Sequence, residues 1–168
     1  MVYGQASPVE QLQYKGESQM AGKEMALAEV RGFLEQAQWG RLATNGRQGP
    51  YVTPLHYVLE GDRIYFHCAL RGRKLDNINY DNRVCFEVSE MLGIKEHANP
   101  CKFSTSYKSV LVFGLAELVN NSQDKVKVLN LISQKYSSTG NFEPITGEQS
   151  KSVAVLVLKI DEVSGKKA

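Results

Sequence analysis

Apolar residues recur along this chain at two spacings, and the switches between them mark its elements. From Lys23 to Gln38, Leu27, Val30, Leu34 and Ala37 recur at helical spacing with Gly40 just beyond, which predicts a helix covering one mouth or face of the structure that follows. Six later runs read as strands: Trp39–Thr44, Tyr51–Leu59, Arg63–Ala69, Val84–Val88, Ser109–Val119 and Ser152–Asp161. Alternation puts Ile64, Phe66 and Cys68 on one face of the third run and Tyr65 and His67 on the other. In the second run Thr53, Leu55 and Tyr57 share a face and His56 points the other way. Pro54 donates nothing to a ladder, so it marks a bulge or an edge. Gly114 marks a bend or a close backbone approach, and the apolar run Val153–Leu158 fits a strand buried on both faces.

A second long helix is predicted from Ser122, as its cap, to about Tyr136, with Val128, Leu131 and Ile132 on one face. Ser89–Lys108 and Ser137–Ser152 read as irregular loops. Six strands and few helices fit a closed antiparallel barrel, mainly β (α+β) with flanking helices, better than a doubly wound sheet. The polar, mixed residues 1–22 predict a flexible N-terminal tail or an arm on a partner subunit, ahead of one domain over 23–168.

Composition narrows the function classes. The chain has 168 residues, 42% hydrophobic and 23% charged, which suits one globular domain. A net charge of +2 without a long basic run gives no general attraction for nucleic acid. No apolar segment reaches the length of a membrane span, and the first residues lack a secretory pattern. Cys68, Cys85 and Cys101 are odd in number with no C-x-x-C pair, which argues against a disulfide scaffold and for a cytoplasmic protein; no Cys/His cluster has zinc spacing.

Candidate chemistry concentrates between Gly49 and Tyr80. A short amphipathic helix is predicted to begin near Gly72 or Arg73, with Leu75 and Ile78 on its apolar side. Acidic side chains in a helix's first turn gain roughly 0.3–1 kcal/mol each from the dipole, yet this turn opens with Arg73 and Lys74. Cations there become favourable around an anion held on the free N–H groups, and a phosphate is the obvious anion.

The ordered set PYVTPLHYV, DRIYFH, GRKLDNI and NRVCFEV resembles the flavin-binding split-barrel superfamily that includes pyridoxamine 5'-phosphate oxidase, and within it the branch related to 5-nitroimidazole resistance proteins. Tyr65-Phe66-His67 before Gly72-Arg73-Lys74, the segment WGRLAT from Trp39, and TSYKSVLVFGLAELV from Thr105 carry the resemblance, which spans about Ala26 to Val163. It implies a split barrel, bound flavin mononucleotide (FMN), and a homodimer with flavin in the clefts between subunits. Lys74 and Arg73 are then the phosphate residues, with Ser104, Ser106 and Ser109 as hydroxyl donors. Thr53, Pro54, Leu55 and His56 correspond to the strand beside the flavin rings, Tyr107 reaches the flavin of its own or the other subunit, and His67 lines the flavin or substrate cavity as the candidate catalytic residue. The chain ends VSGKKA and has TPLHY where pyridoxamine phosphate oxidases carry an Arg-rich strand and an Arg-Leu-type ending, which argues against pyridoxamine phosphate as substrate.

Two functions compete. One is an FMN-dependent oxidoreductase passing electrons from NAD(P)H to a small acceptor such as a nitro compound. The other is a flavin- or haem-binding module without turnover, with His67 or His97 as iron ligand and Cys101 a poorer one. The G-x-G-x-x-G dinucleotide fingerprint is absent, so NAD(P)H would bind transiently on the flavin face.

Overall fold

The computed structural model of the protein describes residues 22–168, so the tail expected over 1–22 lies, except for Gly22, outside the described residues. Eight strands form one antiparallel sheet: β1 Lys23–Glu24, β2 Gly40–Gly46, β3 Gly49–Leu55, β4 Tyr57–Glu60, β5 Arg63–Cys68, β6 Arg83–Lys95, β7 Ser104–Leu118 and β8 Ala154–Lys167. Their order is β3-β2-β6-β7-β8-β5-β4, with β1 added on β8. The two ends of this order, β3 and β4, are consecutive in the chain and separated only by His56. The sheet therefore rolls until its ends meet. Covalent chain closes it there in place of a hydrogen-bonded ladder, which makes a split barrel.

The mainly β, barrel-plus-helices expectation holds, with eight strands where six were predicted. Two differences have clear causes. Tyr51–Leu59 is two strands, because Tyr57 turns fully into the core and its N–H is taken by the Tyr136 hydroxyl at 3.0 Å. Ser89–Lys108 is mostly the outer part of a long hairpin, in which β6 and β7 pair from Arg83↔Leu115 to Lys95↔Ser104 with a bulge between Met91 and Gly93. Most of this arm is exposed on both faces, so the sequence shows no alternation there. As predicted, Pro54 lies on an edge strand, since β3 pairs only with β2.

Helix α1 spans Leu27–Gln36, shorter than the predicted Lys23–Gln38 because Lys23 and Glu24 pair with β8. Helix α2 spans Arg73–Tyr80 and α3 Ser122–Tyr136. The cap of α3 is Asn121, not Ser122; its Oδ1 accepts the N–H groups of Gln123 and Asp124. The expected loop Ser137–Ser152 holds a short helix, α4 Gly147–Ser150, capped by Thr146.

Tyr57, Phe66 and Phe86 are fully buried at the barrel's centre, with ring centroids 4.8 and 5.1 Å apart in edge-to-face pairs. Val30 and Leu34 of α1 join this core. On the outer side of β5 and β8, α3 docks Val128, Leu129 and Ile132 against Val155 and Tyr65, with Leu129 rather than the expected Leu131. Residues Ala154–Leu158 are accordingly buried on both faces, as predicted.

Gly114 also behaves as the sequence implies. A Cβ there would lie 1.9 Å from the Lys159 carbonyl oxygen, and the β7–β8 register shifts at this point. The obstacle is backbone and cannot rotate away. Gly114→Ala is expected to cost more than about 3 kcal/mol, measured by urea unfolding; a loss under about 1 kcal/mol would contradict the packing.

Candidate functional site

Where the barrel is split, two cavities open. One, of about 150 Å3, is lined by Tyr51 and Thr53 of β3, by Cys68 and Ala69 at the end of β5, and by Arg71–Leu75 at the start of α2. The other, of about 320 Å3, is lined by Trp39, Pro54, Leu55, His56 and His67. The two lie side by side at the ends of β3 and β5, close enough for the Lys74 charge to act on His67, and together make the groove. It brings together seven of the predicted site residues: Thr53, Pro54, Leu55, His56, His67, Arg73 and Lys74.

The start of α2 is built as an anion site. Gly72 caps it at φ 138°, a conformation that side-chain-bearing residues rarely adopt. The first-turn bonds of α2 run from the N–H groups of Leu75 and Asp76 to the Gly72 carbonyl, and helix geometry leaves the N–H groups of Arg73 and Lys74 without intrahelical acceptors. Asp76 also lies in this turn, so the turn is mixed, not purely basic.

The two cations there divide the work. Arg73 donates to the carbonyls of Gln48, Gly49 and Pro50 at 2.9, 3.4 and 3.4 Å, and its guanidinium lies 4.8 Å from the Tyr51 ring centroid. Arg73 therefore ties α2 to the β2–β3 turn. Lys74 makes no ion pair or hydrogen bond among the described residues, and neither does Arg71 just before the helix, so both cations are open to an anion.

Asn77, buried on the same helix, was not singled out by sequence. Its Nδ2 donates to Thr44 Oγ1 at 3.1 Å, and that hydroxyl donates to the Tyr51 carbonyl at 3.3 Å. Gly46 makes room, since a Cβ there would lie 2.1 Å from Asn77 Oδ1. The signal was available as a polar residue on the apolar side of α2, between Leu75 and Ile78.

At the wider cavity, Trp39 is half exposed, with the Arg41 guanidinium 4.8 Å from its ring centroid. Arg41 in turn pairs with Glu87 at 2.8 Å. His56 stacks on Tyr136 with ring centroids 4.4 Å apart. His67 is half-buried, and burial first, then the neighbouring His56 and Lys74, hold its pKa below the ordinary 6.5. Its neutral form is thereby favoured.

Four buried side-chain polar atoms lack a partner among the described residues: Thr53 Oγ1, His67 Nδ1, Arg73 Nε and Lys135 Nζ. The lysine lies 3.8 Å from the Tyr57 ring centroid, whose face serves as its partner. The other three all belong to residues lining the groove. Buried polar groups are normally paired, so this concentration marks a place where a polar ligand fits.

Ser104, Ser106, Tyr107 and Ser109 lie elsewhere. Ser109 pairs with Ser89, and Ser89 and Lys108 share with Trp39 a separate cavity of about 320 Å3. Ser106 donates to the Ala168 carbonyl at 2.7 Å, and Tyr107 exchanges backbone bonds with Ala168. None of the four lines either groove cavity. His97 is also remote, on the arm, with Nδ1 accepting the Asn99 N–H at 2.9 Å.

A family model described as pyridoxamine 5'-phosphate oxidase matches residues 26–167. The chain belongs to this family. Its fold is shared with the flavocytochrome Anf3 of Azotobacter vinelandii, at TM-score 0.75 and 24% identity over 84% of this chain and 66% of that one. A putative 5-nitroimidazole antibiotic resistance protein of Bacteroides thetaiotaomicron aligns at TM-score 0.73 and 22% identity, covering 92% and 95% of the two chains. A FAD-binding protein of Mesorhizobium loti aligns at 0.65 and 25%, covering 89% and 99%. No helix among the described residues is long and apolar enough to cross a membrane.

His67 gives a pH test. Its folded pKa is depressed, so below pH 6.5 the unfolded chain takes up a proton that the folded protein refuses. The melting temperature of the wild type should fall relative to His67→Gln as pH drops through 6.5 and should match its trend above that. A constant difference from pH 8 to pH 5 would contradict the lowered pKa of the half-buried imidazole.

Proposed function

We propose that the protein binds FMN in the groove at the barrel split and works as an oxidoreductase on a small acceptor, with a reduced nicotinamide as electron donor. The observation that carries this is the groove's two-part chemistry. Free cations and free helix N–H groups occupy one end, and an aromatic and imidazole-lined cavity with orphaned polar atoms occupies the other. The small end suits one terminal phosphate better than the longer tail of a dinucleotide.

The residues present fit the cofactor. Lys74 and the first N–H groups of α2 would hold the phosphate. Thr53, the free edge of β3 and His56 would meet the polar rim of the rings, with Trp39 and Leu55 as apolar walls. The flavin, when bound, supplies the capacity to accept and pass on two electrons. His67 presents a neutral imidazole that can donate or accept a hydrogen bond at the flavin edge or to the acceptor.

A homodimer completes this proposal. On the outer face of the sheet, Val52, Ala43, Cys85 and Phe113 stand in one cross-strand row, and Pro54 continues the same face of β3 to the groove. Val52 is 55% and Phe113 40% exposed, and Met91, Leu92, Ile94 and Phe103 of the arm are all exposed. Apolar area of this kind suits a two-fold interface. In a pair of subunits the arm bearing Ser104, Ser106, Tyr107 and Ser109 can approach the other copy's groove. Light scattering at micromolar concentration is expected to give twice 18.7 kDa, and a mass of 18.7 kDa would count against the dimer.

Lys74→Ala is expected to weaken FMN binding about tenfold or more, one charge-assisted contact, while riboflavin binding stays unchanged. Fluorescence titration reads both, and equal FMN affinity in the variant sinks the phosphate assignment. His67→Ala is expected to retain the fold and most flavin affinity while slowing turnover of a nitroaromatic acceptor. Normal turnover per bound flavin in a destabilised variant would falsify the role of His67.

A further inference from the structure

We infer that Tyr136, on the last turn of α3, is the positioning residue that sets the width of the ring-binding end of the groove. This rests on the flavin reading of the site. Tyr136 is remote in sequence from every groove residue and lines neither cavity. Its hydroxyl nevertheless joins the two chain segments that do. It accepts the Tyr57 N–H at 3.0 Å and lies 2.6 Å from the Gln38 carbonyl oxygen and 3.1 Å from that of Tyr57. A phenol has one proton, and the shorter distance assigns it to Gln38. Gln38 precedes Trp39 and Tyr57 follows His56, so one oxygen fixes the separation of two side chains that line the cavity. The Tyr136 ring adds a second restraint by stacking on His56 at 4.4 Å.

Three observations separate this from general packing. Helix α3 is also docked through its first half, where Val128 lies beside Tyr65 and Val157, away from the groove. The Tyr57 N–H lies where the ladder is interrupted, so Tyr136 takes the place of a strand partner at the break that opens the barrel. The Tyr57 hydroxyl donates to the Leu34 carbonyl at 2.6 Å, which extends the tether to the end of α1. The walls of the cavity thus hang on a connected set of hydrogen bonds with Tyr136 at its centre. Burial pushes the Tyr136 phenol up, so it keeps its donating proton through the neutral range.

Tyr136→Phe removes the hydroxyl and keeps the stacking ring. Because the phosphate end is untouched, FMN and riboflavin should lose affinity by the same factor, roughly fivefold or more, one buried hydrogen bond. The visible band of bound flavin should shift as well. Val128→Ala loosens the first half of α3 without reaching the groove, so it should lower the melting temperature and leave both affinities at the wild-type value. Tyr136→Gln, which retains a donor and an acceptor, should fall between wild type and Tyr136→Phe, and serves in its place if that variant does not fold. Unchanged affinities in the Tyr136 variants overturn the inference, as does an equal loss in Val128→Ala. Wild-type protein that binds neither FMN nor riboflavin overturns the flavin reading and the inference together.

Discussion

The barrel's closure at His56 is the constraint on which the site depends. A rolled sheet normally ends by pairing its first strand with its last, which removes both edges. Here the first and last strands are one chain interrupted at one residue, and Tyr57 is drawn fully into the core immediately after it. The edge-to-face packing of Tyr57 on Phe86 holds the interruption in place. The edge of β3 therefore stays unpaired beside the end of β5. An unpaired edge is a liability unless something covers it, and a planar polar ligand lying across it would satisfy both parties.

The cationic end follows from a second constraint, the placement of α2. Its eight residues bury little apolar surface beyond Leu75 and Ile78, too little to fix a helix terminus by themselves. Polar contacts supply the precision. Asn77 locks onto Thr44 and Tyr51, and Arg73 reaches the Gln48–Pro50 carbonyls. Both contacts lead to β2 and β3, the strands that frame the groove. The cationic end of the groove is thus referenced to β2 and β3, and β3 also lines the histidine-bearing end.

Much of the fold was legible because burial wrote it into the sequence. Ile64 and Phe66 alternate with Tyr65 and His67 since a core lies on one side of β5, and Gly114 stands out since only glycine fits against Lys159. The hairpin arm was not legible, because strands without a buried face carry no period-2 signal. In the groove, cations beside a glycine and a histidine ending a strand were visible locally. The division of labour between Arg73 and Lys74 was not, because it depends on carbonyls of a turn more than twenty positions away. The role of Tyr136 was hidden for the same reason. It looks like one more apolar residue on the α3 stripe through Leu129 and Ile132, and only the closed barrel brings its hydroxyl to Gln38 and Tyr57.

The central claim is that the groove at the split is a flavin site, and the visible absorption spectrum of the purified protein after incubation with FMN and gel filtration tests it most directly. The account predicts retained flavin bands at about one flavin per chain. A colourless protein, or a Soret band displacing the flavin bands, would contradict it.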